Sequence, residues 1–210
     1  MANQNQITSS SSIFNNVVCQ NQEPIFEKKD IALHDFMLAV FYHFELKYPK
    51  FHKMDNLSKL GWLASEVLLK YSQFDATAYT PTEVGIVIAN ASSSLDTDIN
   101  YFETTKSIAS PALFVYTLPN IVIGEICIRN GFKGENAFFV SEEFDTELIQ
   151  SYVNNLMNNG QLKACICGWV ELIKEEYKAV LYLVEQKQTE KSIAFTVENM
   201  NEIWSNSLKN

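Results

Sequence analysis

Three short segments that are apolar at nearly every position constrain the fold of this chain most. They are VGIVIA at residues 84–89 and the runs at residues 164–170 and 179–184. A strand without polar alternation is typical of a strand that is buried on both faces of its sheet. Such strands need helices or a second layer on each side. The sequence therefore predicts a central sheet covered by helices.

The apolar residues between these strands recur mostly at helical spacing. Their pattern predicts five helices, at residues 31–48, from a cap at Asp55 onwards, at 95–103, at 110–129 and at 141–159. The fourth is broken near Pro119. A short strand and a last helix are predicted within residues 193–208. In the helix at 141–159, Ser141 is the predicted N-cap and Glu142 and Glu143 lie in the first turn. Helices that alternate with strands indicate an α/β layered domain.

The N-terminal segment has a different composition from the rest. Residues 1–22 are rich in Asn, Gln and Ser, and only residues 13–19 have the character of a short strand. We therefore expect a flexible polar lead at residues 1–22 and one domain at residues 23–210. The lead has neither a basic start nor an apolar stretch, so it does not resemble a signal peptide.

The charge balance argues against two classes of partner. The chain has 25 acidic and 16 basic residues, a formal net charge of −9, and Arg129 as its one arginine. Nucleic acids and anionic membranes are bound through clustered Lys and Arg, so neither is an expected partner. No apolar run approaches the roughly 20 residues that span a bilayer. We expect a soluble cytoplasmic protein.

The cysteines and histidines do not form a metal-binding pattern. Cys165 and Cys167 lie two residues apart on one predicted strand and so point to the same face, whereas Cys19 and Cys127 are isolated in the sequence. Because no second pair of ligands accompanies them, we expect buried, reduced thiols rather than a zinc or redox site. The three histidines are His34, His43 and His52. His34 and His43 fall on opposite sides of one predicted helix and so make no metal pair. We expect no metal and no cofactor.

Four segments, in order, carry a family resemblance. They are KMDNLSKLGWLASEVLL from residue 53, VGIVIANASSSLDT from residue 84, SPALFVYTLPNIVIGEICIRNGFKGEN from residue 110 and LMNNGQLKACICGWVEL from residue 156. Together they resemble the N-terminal half of β-ketoacyl synthases, the thiolase-like condensing enzymes. The positions that match the family's motifs are Ser110, Pro111, Pro119, Asn120, Gly124, Gly131, Gly134, Asn136, Gly168 and Glu171. The resemblance implies a thiolase-like α/β half-domain with a mixed five-stranded sheet flanked by helices.

The same resemblance implies that the catalytic groups of the family are missing. The family's nucleophilic cysteine follows the Asn that matches Asn136 at an interval that reaches Glu143, and the surrounding residues 141–145 contain no Cys. A carboxylate does not readily form the acyl thioester through which condensation proceeds. The family's two catalytic histidines lie in a C-terminal half, and this chain has no histidine after His52. We expect a protein that is not a condensing enzyme.

The resemblance also implies a partner. In this family the strand before the nucleophile pairs across a dimer axis, and here the matching residues are Asn136, Ala137, Phe138, Phe139 and Val140. Chain-length-factor subunits lack the active cysteine and pair with a competent ketosynthase. We therefore expect a homodimer, or a heterodimer with a ketosynthase, in fatty acid or polyketide and polyene biosynthesis, with an acyl carrier protein as a possible further partner.

Two other functions stay open at this point. The chain is also compatible with a module that binds acyl-pantetheine or an acyl carrier protein. A third candidate is a small decarboxylase or thioesterase that uses Glu143 or Glu142 as its base. A carboxylate at a helix N-terminus has its charged form stabilised, which makes it a poor base near neutral pH.

Overall fold

A computed structural model describes residues 5–207 of the 210-residue chain. Within these residues, eight strands form one mixed sheet in the order β3-β2-β1-β7-β6-β4-β5, with β8 paired to β1. The strands are β1 (Gln6–Phe14), β2 (Val17–Gln20), β3 (Glu23–Glu27), β4 (Val84–Asn90), β5 (Asn136–Val140), β6 (Ala164–Ile173), β7 (Glu176–Glu185) and β8 (Ile193–Ala194). The helices are α1 (Leu33–His43), α2 (Asn56–Tyr71), α3 (Leu95–Thr105), α4 (Pro111–Phe114), α5 (Ile121–Asn130), α6 (Thr146–Asn158) and α7 (Val197–Asn206).

The sheet has a parallel part and an antiparallel part. β4 lies between β5 and β6 and is parallel to both. β6 and β7 form an antiparallel hairpin, and β7 pairs antiparallel with β1. One apolar cluster lies between the sheet and helices α1, α2 and α5, and a second lies on the opposite face under α6 and α7. The predicted α/β layered class is therefore confirmed.

The three apolar runs form the strands predicted for them. Every residue of β4 is buried, and so are most residues of β6 and β7. Because helices cover both faces of the sheet, neither face of these strands contacts water, and their sequences do not alternate between polar and apolar residues. The prediction of five strands is wrong, because the described residues form eight. The additional strands come mainly from the N-terminal segment.

The prediction of a flexible lead is wrong for residues 6–20. These residues form β1 and β2, and β1 lies inside the sheet between β2 and β7. Its serines are small enough to lie close under α2, and the Ser11 hydroxyl donates to the Ala64 carbonyl at 2.9 Å. Gln20 Nε2 similarly donates to Ser9 Oγ. A polar strand can be buried here because its side chains find hydrogen-bond partners. Residues 1–4 and 208–210 lie outside the described part.

The cap predicted for α2 is confirmed. Asp55 Oδ1 accepts from the Ser58 backbone N–H at 3.0 Å, and Oδ2 accepts from the Thr97 hydroxyl at 2.6 Å. One carboxylate therefore caps α2 and also attaches α3. Helix α1 is shorter than the predicted 31–48, since it ends at His43 and a 3₁₀ turn at Pro49–Lys53 follows.

No single helix within residues 5–207 is long and apolar enough to cross a membrane. The segments Pro111–Thr117 and Ile121–Asn130 meet the length and composition criteria only as a pair, which is bent by 100°.

Candidate functional site

The site implied by the family resemblance lies where β5 ends and the chain turns towards α6. The parallel strands β4, β5 and β6 all end at this edge of the sheet, which is where ligands usually bind in such sheets. The Ser141 backbone N–H donates to the Asn90 carbonyl at 3.0 Å, which continues the pairing of β5 with β4. The Ser141 hydroxyl donates to the Glu143 carbonyl at 2.8 Å. Residues 141–144 therefore form a loop that is attached to the end of β4.

Helix α6 begins later than the sequence predicts. Its N-cap is Asp145, whose Oδ1 accepts from the Leu148 N–H at 2.9 Å, and its first residue is Thr146. The prediction that Ser141 caps this helix and that Glu142 and Glu143 occupy its first turn is wrong. Both glutamates are exposed loop residues. The argument that the helix dipole stabilises the Glu143 carboxylate therefore loses its basis.

Phe144 explains the late start of the helix. Its ring lies 4.9 Å from that of Trp204 and 5.8 Å from that of Trp169, and it stacks with Tyr182 at 6.2 Å. Burying one large aromatic side chain is favourable by more than a helix gains from a few additional residues. The loop therefore follows Phe144 into this cluster, and the helix begins only after it.

A lysine lies in the same aromatic cluster. The Lys178 ammonium is 3.2 Å from the centroid of the Trp204 ring and 5.6 Å from that of Phe14. It is buried and has no hydrogen-bond partner among residues 5–207. Burial lowers the pKa of Lys178 to about 8. The contact with the ring face is a cation–π interaction, which supplies part of the stabilisation that water would provide to the ammonium.

The motif glutamate of β6 holds the loop after β4. Glu171 Oε2 accepts from the Ala91 and Ser92 backbone N–H groups at 2.6 and 3.1 Å. Asn90, which is fully buried, closes the same loop through its side chain, because Oδ1 accepts from the Ser93 N–H and Nδ2 donates to the Ser93 carbonyl. Glu171 therefore holds the loop after β4 in position.

None of the four cysteines, all within the described residues, lies at a helix N-terminus. Cys19 lies in β2, Cys127 in the second half of α5, and Cys165 and Cys167 in β6. All four are free thiols, of which Cys19, Cys165 and Cys167 are buried and Cys127 is half-buried. Burial raises the pKa of Cys127 to about 11 and raises the pKa of Cys165 and Cys167 well above the usual value for a thiol. A high thiol pKa disfavours the thiolate, which is the nucleophilic form.

The three histidines precede β4 in the chain and lie on α1 and in the turn before α2, not in the loop that follows β5. His34 and His43 are in α1, and His52 is in the turn at Pro49–Lys53. His43 packs against Phe26 with ring centroids 4.4 Å apart. Within residues 5–207, no group of three or more His, Cys, Asp and Glu side chains has the arrangement of a metal site.

The five residues predicted to contact a partner form β5, at one end of the sheet. β5 pairs with β4 through residues 136–140, and no other strand among residues 5–207 pairs with its outer edge. Ala137, Phe138 and Phe139 are half-buried, whereas Val140 is 57% exposed. Phe139 packs edge-on against Tyr152 at 5.2 Å. An edge strand with free main-chain groups and apolar side chains is a place where another chain can pair.

An exposed apolar surface that the sequence analysis missed lies on α3, α4 and the turn after α4. Seven of the thirteen large hydrophobic side chains that are exposed in the described residues lie between residues 95 and 118. They are Leu95, Ile99, Phe102, Ile108, Phe114, Val115 and Leu118. Tyr101 and Phe114 are in ring contact at 5.4 Å, so α3 and α4 share this surface. The apolar character of residues 110–118 was the available signal, but the sequence analysis used it only to predict a helix and not to predict its exposure.

Comparisons with known proteins give a fold and no sequence family. No protein-family model matches the chain, and no curated protein matches it. Among solved structures, it is similar to the ishigamide ketosynthase/chain length factor, with 18% identity, a TM-score of 0.61, and coverage of 91% of this chain and 64% of that one. It is also similar to a chain in the structure of a type II polyketide synthase acyl-carrier protein in complex with its ketosynthase bound to the hexaketide. That match has 16% identity and a TM-score of 0.62, and it covers 88% of this chain and 63% of the matched chain.

A third similar structure differs from these two in length. It is a ketosynthase in complex with its chain length factor from Xenorhabdus doucetiae, with 12% identity and a TM-score of 0.59. The match covers 99% of this chain and 92% of that one, so the two chains are close in length. In contrast, this chain spans less than two thirds of the length of the first two structures. The thiolase-like fold of ketosynthases and chain length factors, expected from the sequence, is confirmed.

Proposed function

We propose that this chain is a non-catalytic, ketosynthase-like subunit that pairs with a partner, either a second copy or a complete ketosynthase, in polyketide or fatty acid assembly. The observation that carries the proposal is the outer edge of β5, which presents unpaired main-chain groups together with the exposed Val140. Leaving such an edge in water favours aggregation, so its presence favours a partner strand.

Two further observations support a partner. The exposed apolar surface at residues 95–118 is of the kind that marks a protein contact rather than a monomer surface. In addition, the structure from Xenorhabdus doucetiae contains a chain of nearly this length, and the protein described there is a ketosynthase in complex with its chain length factor. This likeness in fold and length supports the proposed pairing with a partner subunit.

The non-catalytic part of the proposal rests on the residues around the end of β5. The loop and helix start at residues 141–146 read Ser-Glu-Glu-Phe-Asp-Thr, which contains no thiol. The four cysteines lie elsewhere, and burial raises the pKa of Cys165 and Cys167. We expect no condensation and no acyl transfer to this chain from a radiolabelled acyl thioester. Stable label retained on the purified chain would contradict the proposal.

The pairing is tested with one strand variant and a matched control. Val140→Lys places a charge on the exposed part of β5, where a partner strand would have to bury it without a counter-ion. Ile193→Lys makes the same kind of change on β8, at an exposed apolar position on the other part of the sheet. Phe139→Asp is less informative, because Phe139 packs against Tyr152 within the chain and its loss would also disturb the fold.

The measurement is light scattering after size-exclusion chromatography, for the chain alone and co-expressed with a complete ketosynthase from the same genome. We expect a dimer or a one-to-one complex for the native chain and for Ile193→Lys, and a monomer for Val140→Lys. A native chain that is a monomer both alone and with the ketosynthase would exclude the proposed pairing.

A further inference from the structure

A cavity between α1, the turn at Pro49–Lys53 and α2 brings together three nitrogen-bearing side chains. It has a volume of about 90 Å³, and His34, His52 and Lys59 line it together with Met37, Leu38 and Phe51. The grouping is unusual in a chain with a net charge of −9, since two of its three histidines and a lysine share one small space. These residues are not part of the proposed partner surface on β5.

Lys59 is the least exposed of the three nitrogen-bearing side chains that line this cavity. The residue is only 9% exposed, and its ammonium makes no hydrogen bond and no ion pair with residues 5–207. Asp55 acts on it electrostatically, but both Asp55 oxygens already accept hydrogen bonds, from Ser58 and Thr97. Burial lowers the pKa of Lys59, and the charge of Asp55 offsets part of this effect. The ammonium can therefore donate to an acceptor that enters the cavity, and the low exposure of the residue strengthens such a charge-assisted hydrogen bond.

His52 is held at the rim of the cavity by its neighbours. Its ring contacts Phe41 at 5.4 Å and Phe51 at 5.6 Å, in both cases edge to face. The side chains of His34 and His52 make no hydrogen bond to other residues of the described part, and both are exposed. The imidazoles are therefore free to donate to a ligand, while Met37, Leu38 and Phe51 form an apolar wall that strengthens charge interactions inside.

We propose that this cavity binds a small oxyanion, a carboxylate or a phosphate, with the Lys59 ammonium as its main donor and His34 and His52 as further donors. The space holds roughly three water molecules, which matches the size of such a group. A metal cation is disfavoured, because the ammonium would repel it and no carboxylate or thiol completes a ligand set there. This inference is independent of the proposed partner pairing.

The three histidines make the test specific. Inorganic phosphate and, separately, acetate are titrated at constant ionic strength into the full chain, and the imidazole C–H signals are followed by NMR. We expect saturable shifts of His34 and His52 with one common Kd, and no saturable shift of His43, which packs against Phe26 away from the cavity. The anion that binds more tightly identifies the ligand class.

A lysine variant and its control complete the test. Lys59→Met keeps the apolar stem and should weaken binding by about tenfold or more, which is the loss of one charge-assisted hydrogen bond. Lys53→Met, at an exposed neighbouring position outside the cavity, should bind as the native chain does. If Lys59→Met does not fold, the double variant His34→Gln, His52→Gln should bind several-fold more weakly by calorimetry. Absence of saturation with both anions, equal shifts at His43, or native affinity in these cavity variants would each overturn the proposal.

Discussion

At the scale of single residues, two glycines that match the family motifs differ in whether the structure requires them to be glycine. Gly168 in β6 has a φ of +146°, and an added Cβ would lie 2.1 Å from the Val180 carbonyl oxygen of the neighbouring strand. Gly124 in α5 has ordinary helical geometry, and an added Cβ would meet nothing within 4 Å. Only the first position demands glycine for the stability of this chain.

We therefore predict opposite effects for the two alanine variants. Gly168→Ala should lower the free energy of unfolding by at least about 2 kcal/mol, because the backbone is strained and β7 must move. Gly124→Ala should be neutral or should raise it by roughly 0.5–1 kcal/mol, since alanine is the better helix former. Urea unfolding followed by tryptophan fluorescence measures both. Equal effects would mean that the space around Gly168 is not what limits this position.

At the scale of elements, α7 is attached to the sheet and to α6 by a small number of specific contacts. The Tyr182 hydroxyl donates to the Met200 carbonyl at 3.0 Å, and the Thr146 hydroxyl joins Asn201 Oδ1 at 3.0 Å. The Lys178 ammonium lies against the face of Trp204. Lys178 differs from the other contacts because its charge is buried without a hydrogen-bond partner. Its contribution therefore depends on pH.

We predict that this lysine makes the stability of the chain rise between pH 7 and pH 9. The pKa of Lys178 is about 8 in the folded chain, below the ordinary value of 10.5, so the unfolded chain binds more protons in this range. Stability is then gained as pH rises through 8 and lost as it falls. Lys178→Met keeps the packed stem and removes this dependence, so its advantage over the native chain should shrink from pH 7 to pH 9.

The measurement is the urea midpoint of both chains at the two pH values. Lys53→Met, on the surface, serves as the control for removing one lysine charge. A difference between native chain and Lys178→Met that stays constant with pH would show that the ammonium is not buried in solution.

At the scale of the whole molecule, the N-terminal strand links the two ends of the chain. β1 pairs with β7 along nearly its whole length and also with β8, which directly precedes α7. Ile13 of β1 is fully buried in the cluster under α1, α2 and α5. The segment at residues 6–20 is therefore part of the core, and we expect the chain to unfold as one cooperative unit.

We predict that Ile13→Ala lowers the free energy of unfolding by about 2–5 kcal/mol, as expected for a large-to-small change in a core. The control is Ile108→Ala, which makes the same substitution at a position that is 85% exposed and should change stability by less than about 0.5 kcal/mol. Urea unfolding by fluorescence and by circular dichroism should give coincident transitions. A native-like midpoint for Ile13→Ala would mean that residues 6–20 are a flexible lead in solution after all.

The elements that could be predicted from the sequence are those that are completely buried or whose signal is local. The continuous apolar runs of β4, β6 and β7 have one stable environment, between two layers of helices, so they were predictable without knowledge of their neighbours. The Asp55 cap was predictable because its partner is three residues away. The resemblance to ketosynthases rested on residues 110–136 together with the segments around β4, β6 and the start of α2, and the fold comparison confirmed it.

The features that depend on distant partners follow from packing in the folded chain and could not be predicted from local sequence. The serines of β1 are buried because α2 and β2 supply hydrogen-bond partners, and nothing in the local sequence announces this. Phe144 delays α6 because Trp169, Tyr182 and Trp204 converge on it from β6, β7 and α7. The exposure of residues 95–118 and the meeting of His34, His52 and Lys59 likewise arise from packing between elements. The stabilisation that a polar or aromatic side chain provides depends on its hydrogen-bond and packing partners, and distant partners come together only when the chain has folded.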